Sequence, residues 1–586
     1  MKHAYKDGKI VLAGQFYEKA PYEMANERIG VTVDGLGGLS AYRIADHANN
    51  YIESFFALSV AVDGVPLDPY EQKTVELVGR TVTLRTFCGG KTLTVKQFLT
   101  KDDNGVFFEI ETEKDAALTV TLNCRSAKSQ DQMGADFIRG ENFLLSASAK
   151  GDWLRANDAF YTGANKRIRF LFTFDGEADA HRAAFRDFDR RARETQGEID
   201  SVQIPASARS EEEKALYLAA YFTSLENHKT VGDFRAFAAG CAYIYPLRTY
   251  FRDSYFTMLP LYSSRAELVR DEILTLAKGV APDGTCPSAV KSDYTAFWGD
   301  HFDSPSFLML ELFDYVTHTG DTAILDAEVN GKTVLEIADA ALRKLSERAD
   351  KTGLLYKEGD YNKRDWADEV NRNGYVTYVE ALYARALSSA ARLFAGRDDK
   401  RAREYQGTFE RVKAAINDIL FDEEKGYYVN YKTADFTEDN LSVDTVFTLL
   451  FGIADEEKAN RVLDNMERIL ETKNNREQKG GDFGVMCVYP LYKGKTATCN
   501  KSMRPYDYHN GSNWCYLTAM YAYAKYLYGR DFRYPLLSCF DYNVAQGHYT
   551  LVEYFSPAAE TGGALQGWSG DIAFVYEQIG KKNFFE

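Results

Sequence analysis

The sequence predicts two domains of different class, an antiparallel β-sandwich over residues 1–205 and an all-α (α/α)6 toroid barrel over residues 206–586. Three observations lead there. A chain of 586 residues exceeds what one ordinary core organises, since domains run to about 100–200 residues. Up to residue 205, apolar and polar residues alternate in short runs broken by Gly, Asp and Asn, the period-2 pattern of half-buried strands. From residue 206 onward the apolar spacing becomes that of amphipathic helices.

The clearest β element is a hairpin. In TVTLRTF (81–87) and TLTVKQFL (92–99), Val82, Leu84, Leu93 and Val95 alternate with polar residues, and Gly89-Gly90 supplies the turn. FFEIETE (107–113) and ALTVTLNC (117–124) continue the pattern as further strands, and several strands at this spacing make a sandwich. The helical part opens with PASARSEEEKALYLAAYFTSL (205–225), where Ser210 and Glu213 form a capping box and Leu218, Phe222 and Leu225 share one face. Helical patterns follow at 211–228, 249–262, 265–278, 304–318, 333–347, 375–395, 399–420, 441–453, 455–472, 512–528 and 568–580. A twelfth completes six inner and six outer helices, because each amphipathic helix must bury its stripe on a neighbour. An open solenoid would show self-similarity at a fixed period, and the sequence has none.

Composition narrows the partners. With 70 basic and 86 acidic residues the formal charge is −16, which repels nucleic acid phosphates and anionic lipid surfaces, so neither is expected as a partner. Hydrophobic residues at 45% and charged residues at 27% suit a globular chain with a solvated surface. Aromatics at 14% are compatible with platforms for sugar rings and equally with helix packing. The eight cysteines include no CxxC pair and no His spacing of a zinc site, which reads as reduced thiols. MKHAYKDGKI lacks the apolar segment of a signal peptide and no apolar run reaches the roughly 18 residues of a membrane span, so a cytoplasmic location is expected. Oligomeric state is not legible.

Four segments carry unusual local chemistry. In YIYPLRTYFRDSYFTMLPLY (243–262), Arg252 and Asp253 adjoin a helix start. They are either a donor fork beside an acceptor, able to hold vicinal hydroxyls, or a cap with a surface partner. FWGDHFDSPSFLMLELF (297–313) places Trp298, Asp300, His301 and Asp303 before an apolar helix; Asp303 or Ser304 is a simple cap, or the loop binds a ligand. YNKRDWADEVNRNGYVTYVEALYARAL (361–387) crowds Asp365, Asp368 and Glu369 around Trp366. A carboxyl beside an indole and other carboxylates can have its pKa raised toward that of a general acid, which nearby Lys363, Arg364 and Arg372 would oppose; a solvated acidic helix approach is the bland alternative. The last segment comprises YDYHNGSNWCYLTAMYAYA (506–524) and YTLVEYFSPAAETGGALQGWSGDIAFVYE (549–577). There Glu553 ends a short apolar run, and Gly562, Gly563 and Gly567 lead into Trp568. Glu553 is either a water-activating carboxylate or a surface residue.

In this order the segments resemble the clan of inverting helical-barrel glycosidases that includes glucoamylases, trehalases and processing α-glucosidases, and most resemble the amylo-α-1,6-glucosidase domain of glycogen debranching enzymes. YFRDSYF is similar to the segment that grips the terminal sugar, DWADE to that of the general acid, and YHNGSNW, EYFSP and GWSG to those flanking the general base. NERIGVTVDGLGGL (26–39) resembles the start of the clan's N-terminal sandwich. The likeness implies Asp368 as general acid and Glu553 as general base, with Asp365 and Glu369 as reserves for the acid. It implies Arg252 and Asp253 as binders of the nonreducing-end sugar, and Trp298, Asp303, Trp366, His509, Asn510, Trp514 and Trp568 around the pocket. The chain lacks a separate α-amylase-type transferase domain, so it differs from a complete bifunctional debranching enzyme.

The expected function is exo-acting hydrolysis of an α-glycosidic, most simply α-glucosidic, bond at the nonreducing end of an oligosaccharide or small glycoside, with inversion. Such chemistry needs two carboxylates about 6.5–9.5 Å apart and no metal or organic cofactor. Lys363, Arg364 and Arg372 beside the acid permit a sugar acid or anionic aglycone, or are surface charge. A glycoside phosphorylase on the same barrel would show phosphate-dependent turnover, and a non-catalytic sugar-binding protein would bind without hydrolysis.

Overall fold

A computed structural model describes residues 1–18, 21–33, 39–43, 51–101, 103, 105–124, 132–140, 143–154, 159–174, 176–240, 246–493, 497–559 and 561–586. Residues 34–38 of the NERIGVTVDGLGGL segment, Tyr243 to Tyr245, Cys241 and the side chain of Cys124 lie outside the described residues. The chain forms two compact units, one of Met1–Gly232 with Asn543–Thr550 and one of Asp233–Tyr542 with Leu551–Glu586.

In the first unit sixteen strands join in one antiparallel hydrogen-bonded network. The expected hairpin pairs Thr81–Cys88 with Lys91–Phe98 in the register Leu84↔Val95 and Thr86↔Leu93, with Val82, Leu84, Leu93 and Val95 buried. Gly89 and Gly90 turn at φ 57° and 72°, and a Cβ on Gly89 would lie 2.8 Å from the carbonyl oxygen of Val62, so both flexibility and space are required there. The runs 107–113 and 117–124, read as separate strands, are one strand, Gly105–Cys124, irregular between Glu111 and Ala116 and between Ala117 and Thr119. These bulges let it bend from pairing with Lys91–Phe98 to pairing with Tyr51–Val62.

The same unit contains helices α1 (Ala178–Arg186) and α2 (Phe188–Ser201), which fall inside the stretch expected as β. Helix α3 (Glu211–Leu225) follows, with its capping box formed: the Glu213 N–H donates to Ser210 Oγ at 3.1 Å and the Ser210 N–H to Glu213 Oε2 at 2.9 Å. It packs on strands of this unit, and Glu226 beyond it accepts the Ala25 N–H at 2.8 Å. The division therefore follows Gly232 rather than the 205/206 boundary expected from the change of period, because a helix can pack on a sheet as well as on helices.

The second unit holds α4 (Phe251–Met258), α5 (Ala266–Lys278), α6 (Ser304–Thr319), α7 (Val334–Ser346), α8 (Thr377–Phe394), α9 (Asp399–Ile419), α10 (Phe447–Leu450), α11 (Glu456–Ile469), α12 (Cys515–Leu527), α13 (Arg533–Ala545, its end in the first unit) and α14 (Asp571–Gln578). Each of α4, α6, α8, α10, α12 and α14 packs on the next, and α14 packs on α4. They form a closed inner ring. Helices α6, α8 and α12 are buried nearly all round, as inner helices must be, whereas α9 and α11 bury one stripe each. The five odd-numbered helices α5 to α13 keep an exposed face and belong to the outer ring of the (α/α)6 barrel.

The inner helices meet through aromatic rings. Phe256 of α4 lies 5.8 Å from Phe307 of α6, 5.9 Å from Phe447 of α10 and 4.8 Å from Tyr516 of α12. Tyr378 of α8 lies 5.8 Å from Phe447, and Trp568, just before α14, stacks on Tyr516 at 4.6 Å. Every inner helix or its approach thus contributes one ring to a common layer. No helix among the described residues is long and apolar enough to cross a membrane.

Candidate active site

Each chemistry-bearing segment leads into an inner helix: Arg252 and Asp253 open α4, Asp303 precedes α6, 365–369 lies on the approach to α8, 509–514 precedes α12 and 553–568 precedes α14. Asp253 and Phe256 are one helical turn apart, as are Asp303 and Phe307. The aromatic layer therefore lies one turn deeper than the polar groups.

Arg252 donates to Asp303 Oδ2 at 3.1 Å and approaches Asp253 Oδ2 at 3.6 Å, and its guanidinium lies 5.8 Å from the Trp568 ring. Asp303 occupies the N-cap position of α6 without capping it. Its carboxylate instead meets His301 Nδ1 at 2.6 Å, Arg252, and the Tyr378 hydroxyl at 3.3 Å. Burial works against its charge, yet His301 and Arg252 hold its pKa below the ordinary aspartate value. Asp253 differs: burial pushes it up to about 7, Arg252 opposes this, and the charges of Glu553 and Asp303 reinforce it. Arg252 Nε and Asp253 Oδ2 are buried without a protein hydrogen-bond partner among the described residues, one donor beside one acceptor.

The segment around Trp366 is fixed by a buried ion network. Asp365 binds both Lys357 and Arg372 and accepts the Ala367 N–H at 2.9 Å, so these cations hold it far below the aspartate range despite burial. Arg372 continues to Asp444 at 2.7 Å, and Asp444 accepts the Trp366 indole N–H at 2.6 Å. Glu369 accepts the Ser502 N–H at 2.9 Å and its hydroxyl at 3.1 Å. Both reserve carboxylates are thereby committed. Asp368 is not: 34% of its side chain faces open space, while Oδ1 is buried without a hydrogen-bond partner among the described residues. Burial pushes its pKa up to about 7; Arg252 opposes this, and Glu369, Glu553 and Asp365 add to it. The local reading of a raised carboxyl agrees with this direction, although the opposing cation is Arg252 rather than Lys363, Arg364 or Arg372.

The two C-terminal segments are stitched together, Asn513 pairing with Phe555 and Trp514 with Tyr554. Trp514 donates its indole N–H to the Tyr508 carbonyl at 3.1 Å and stacks on His509 at 4.7 Å and on Tyr554 at 5.4 Å. His509 Nδ1 lies 4.0 Å from Asp368 Oδ1, and burial lowers the His509 pKa well below the usual value, so it is neutral. Asn510 accepts the Tyr492 N–H at 2.9 Å, and its backbone closes the Tyr506–Asp507 turn, so its hydrogen bonds serve its own loop. Glu553 is buried rather than a surface residue, with its backbone N–H donated to the Gly563 carbonyl at 2.8 Å.

A cavity of about 510 Å³ opens onto this site, lined among others by Asp368, Glu369, His301, Tyr508, Lys363 and Arg364. Trp298 lines it too, 57% exposed and held at φ 48°, a conformation that non-glycine residues rarely adopt. Sequence reasoning missed Asp444, Tyr378 and Lys357. Asp444 lies in the apolar run LSVDTVF, where a single acidic residue carries no local signal of its partner. Among the described residues no group of three or more His, Cys, Asp or Glu is arranged to hold a metal ion.

Residues 226–569 match the model of a protein family described as amylo-alpha-1,6-glucosidase. No curated protein sequence matches the chain. Among solved structures, a bacterial glucoamylase complexed with acarbose aligns over 98% of this chain and 98% of its own, with TM-score 0.63 and 12% identity. A rhamnosidase from Klebsiella oxytoca with rhamnose bound aligns over 96% and 97%, with TM-score 0.50 and 15% identity. These likenesses are likenesses of fold.

Proposed function

The chain belongs to the amylo-alpha-1,6-glucosidase family, and from that premise we propose that it is an exo-acting glycoside hydrolase cleaving an α-glucosidic bond at a nonreducing end with inversion. The observation that carries the reading is a pair of acidic residues, Asp368 with its proton retained to about pH 7 and Glu553 close enough to raise it, beside a polar cluster of Arg252, Asp253, His301 and Asp303.

Protonated Asp368 donates to the glycosidic oxygen as the bond to the anomeric carbon breaks. Ionised Glu553 takes a proton from the water that attacks the opposite face, so one displacement inverts the anomeric centre. Arg252 Nε and Asp253 Oδ2 offer a donor and an acceptor to adjacent sugar hydroxyls. Arg252, oriented by Asp303, also places positive charge near the developing oxocarbenium ion, so its value lies in binding and in holding Asp303 rather than in stabilising that cation.

The test is a hydrolysis screen of wild type, Asp368→Asn and Glu553→Gln on isomaltose, maltose, trehalose and limit dextrin, with the product anomer followed by NMR and phosphate present or absent. Release of β-glucose by wild type and its loss in both variants is expected. An α-anomeric product would end the inverting mechanism, and a phosphate-dependent glucosyl phosphate would make the protein a phosphorylase.

A further inference from the structure

The segment that carries Asp368 also delivers two cations to the same cavity. Lys363 and Arg364 line it with Asp368 and Trp298, whereas Arg372, the third cation of the segment, is buried and neutralised by Asp365 and Asp444. Among the described residues neither Lys363 nor Arg364 is in ion-pair contact with a carboxylate. Lys363 Nζ donates to the Cys499 thiol at 3.3 Å, and Arg364 donates to the Asp300 carbonyl at 2.6 Å and lies 5.1 Å from the Tyr361 ring. Neighbouring Arg348, by contrast, is paired with Asp300. Lys501, 5.4 Å from the ring of Tyr508 that lines the cavity, donates to the Tyr554 hydroxyl at 3.3 Å and has no carboxylate partner among the described residues.

Unpaired cations at one cavity are unusual in a chain of net charge −16. Asp360 and Glu369 line the cavity with them but form no ion pair with either cation among the described residues: Glu369 is turned to Ser502, and Asp360 is exposed. The leaving group of a glycoside is joined through the oxygen that Asp368 protonates, so it extends into the cavity on the Asp368 side, against Trp298, Lys363 and Arg364. An acid that still holds its proton does not repel an anion there. In a partly enclosed space an ion pair is stronger than in bulk water, and the guanidinium fork matches a carboxylate or phosphate in shape.

Resting on the hydrolase reading above, we propose that the cavity recognises a glycoside whose aglycone carries an oxyanion, with Lys363 and Arg364 determining that specificity and Trp298 as the apolar wall.

The test compares kcat/KM on the α-glucosides of glyceric acid and of glycerol, which differ in a carboxylate against a hydroxymethyl group. The α-glucoside of glycerol phosphate separates phosphate from carboxylate, and isomaltose controls for hydrolysis itself. Wild type should prefer the acid over the neutral glycoside by about 10-fold or more. The ratio should fall toward one when Lys363→Gln and Arg364→Gln are combined, persist in part in Lys363→Arg, and shrink in wild type as salt rises from about 0.05 to about 0.5 M. Preference for the phosphate glycoside over both others supports the same oxyanion site and identifies phosphate as its ligand. Equal rates on charged and neutral glycosides, or a ratio indifferent to both salt and substitution, would overturn the proposal while isomaltose hydrolysis kept the hydrolase reading standing. Silence on all four substrates would overturn both.

Discussion

Gly562 faces Glu553 so closely that a Cβ added to it would lie 2.6 Å from the Cβ of Glu553 and 2.8 Å from its Oε2. The position excludes any side chain. Gly562→Ala is therefore expected to displace the Glu553 carboxylate. A shift of about 1 Å in a reacting group costs on the order of 100-fold in rate. Steady-state kinetics should show the loss mainly in kcat, with KM changed little; wild-type kcat in the variant would remove Glu553 from the chemistry.

Asp368→Asn should separate activity from stability. Loss of the general acid is expected to lower kcat by about 10²–10⁴-fold. The folded-state pKa of Asp368, about 7, lies above the unfolded value, so its favourable contribution is complete in acid and is lost as pH rises from about 4 through 7. The variant's Tm should exceed that of wild type at pH 8 and equal it at pH 4, with a modest difference because a third of the side chain is solvated. Calorimetry at the two pH values checks this.

The pH profile of kcat/KM should fall on its alkaline side with an apparent pKa of about 7, the value to which both Asp368 and Asp253 are raised. Activity is present while the acid is protonated and lost above that pH. The limb belongs to the interacting set of carboxyls rather than to one residue. A profile flat from pH 6 to about 9 would contradict the assignment of the acid.

Arg372 bridges Asp365 and Asp444, and all three are fully buried. Arg372→Met leaves Asp444 uncompensated beside the Trp366 indole, and removal of one member of such a buried set costs about 3–5 kcal/mol. Denaturant titration should show a lower midpoint with little change in slope. A midpoint equal to wild type would mean that the network contributes nothing to holding the segment.

Much of the fold was legible because its signals are local. Ser210 and Glu213 announce a helix by spacing alone, and the alternation of Val82, Leu84, Leu93 and Val95 fixes a hairpin face. Helix α13 is not legible because Tyr534, Leu537 and Tyr542 lie off its buried stripe of Leu536, Cys539, Phe540 and Val544 and blur the period, and α1 and α2 follow a β-patterned stretch with mostly charged helical surface. At the site, the sequence marked which segments matter but not how their charges pair. Nothing in DWADE distinguishes Asp365, neutralised by two cations, from Asp368, left unpaired; that difference is made by Lys357, Arg372 and Asp444, which reach the segment only in three dimensions.

The barrel closes where α14 packs on α4 and the Gly567 N–H meets the Ala239 carbonyl at 2.7 Å. On the ribosome, α4 emerges roughly 320 residues before α14, an interval of about 15–60 s at 5–20 residues per second. Throughout that time Phe256 and its neighbours on α4 lack one flank of their packing. Until α14 has emerged, that flank of α4 is open to association with other chains. Cleavage within residues 566–578 would reopen the ring at its seam.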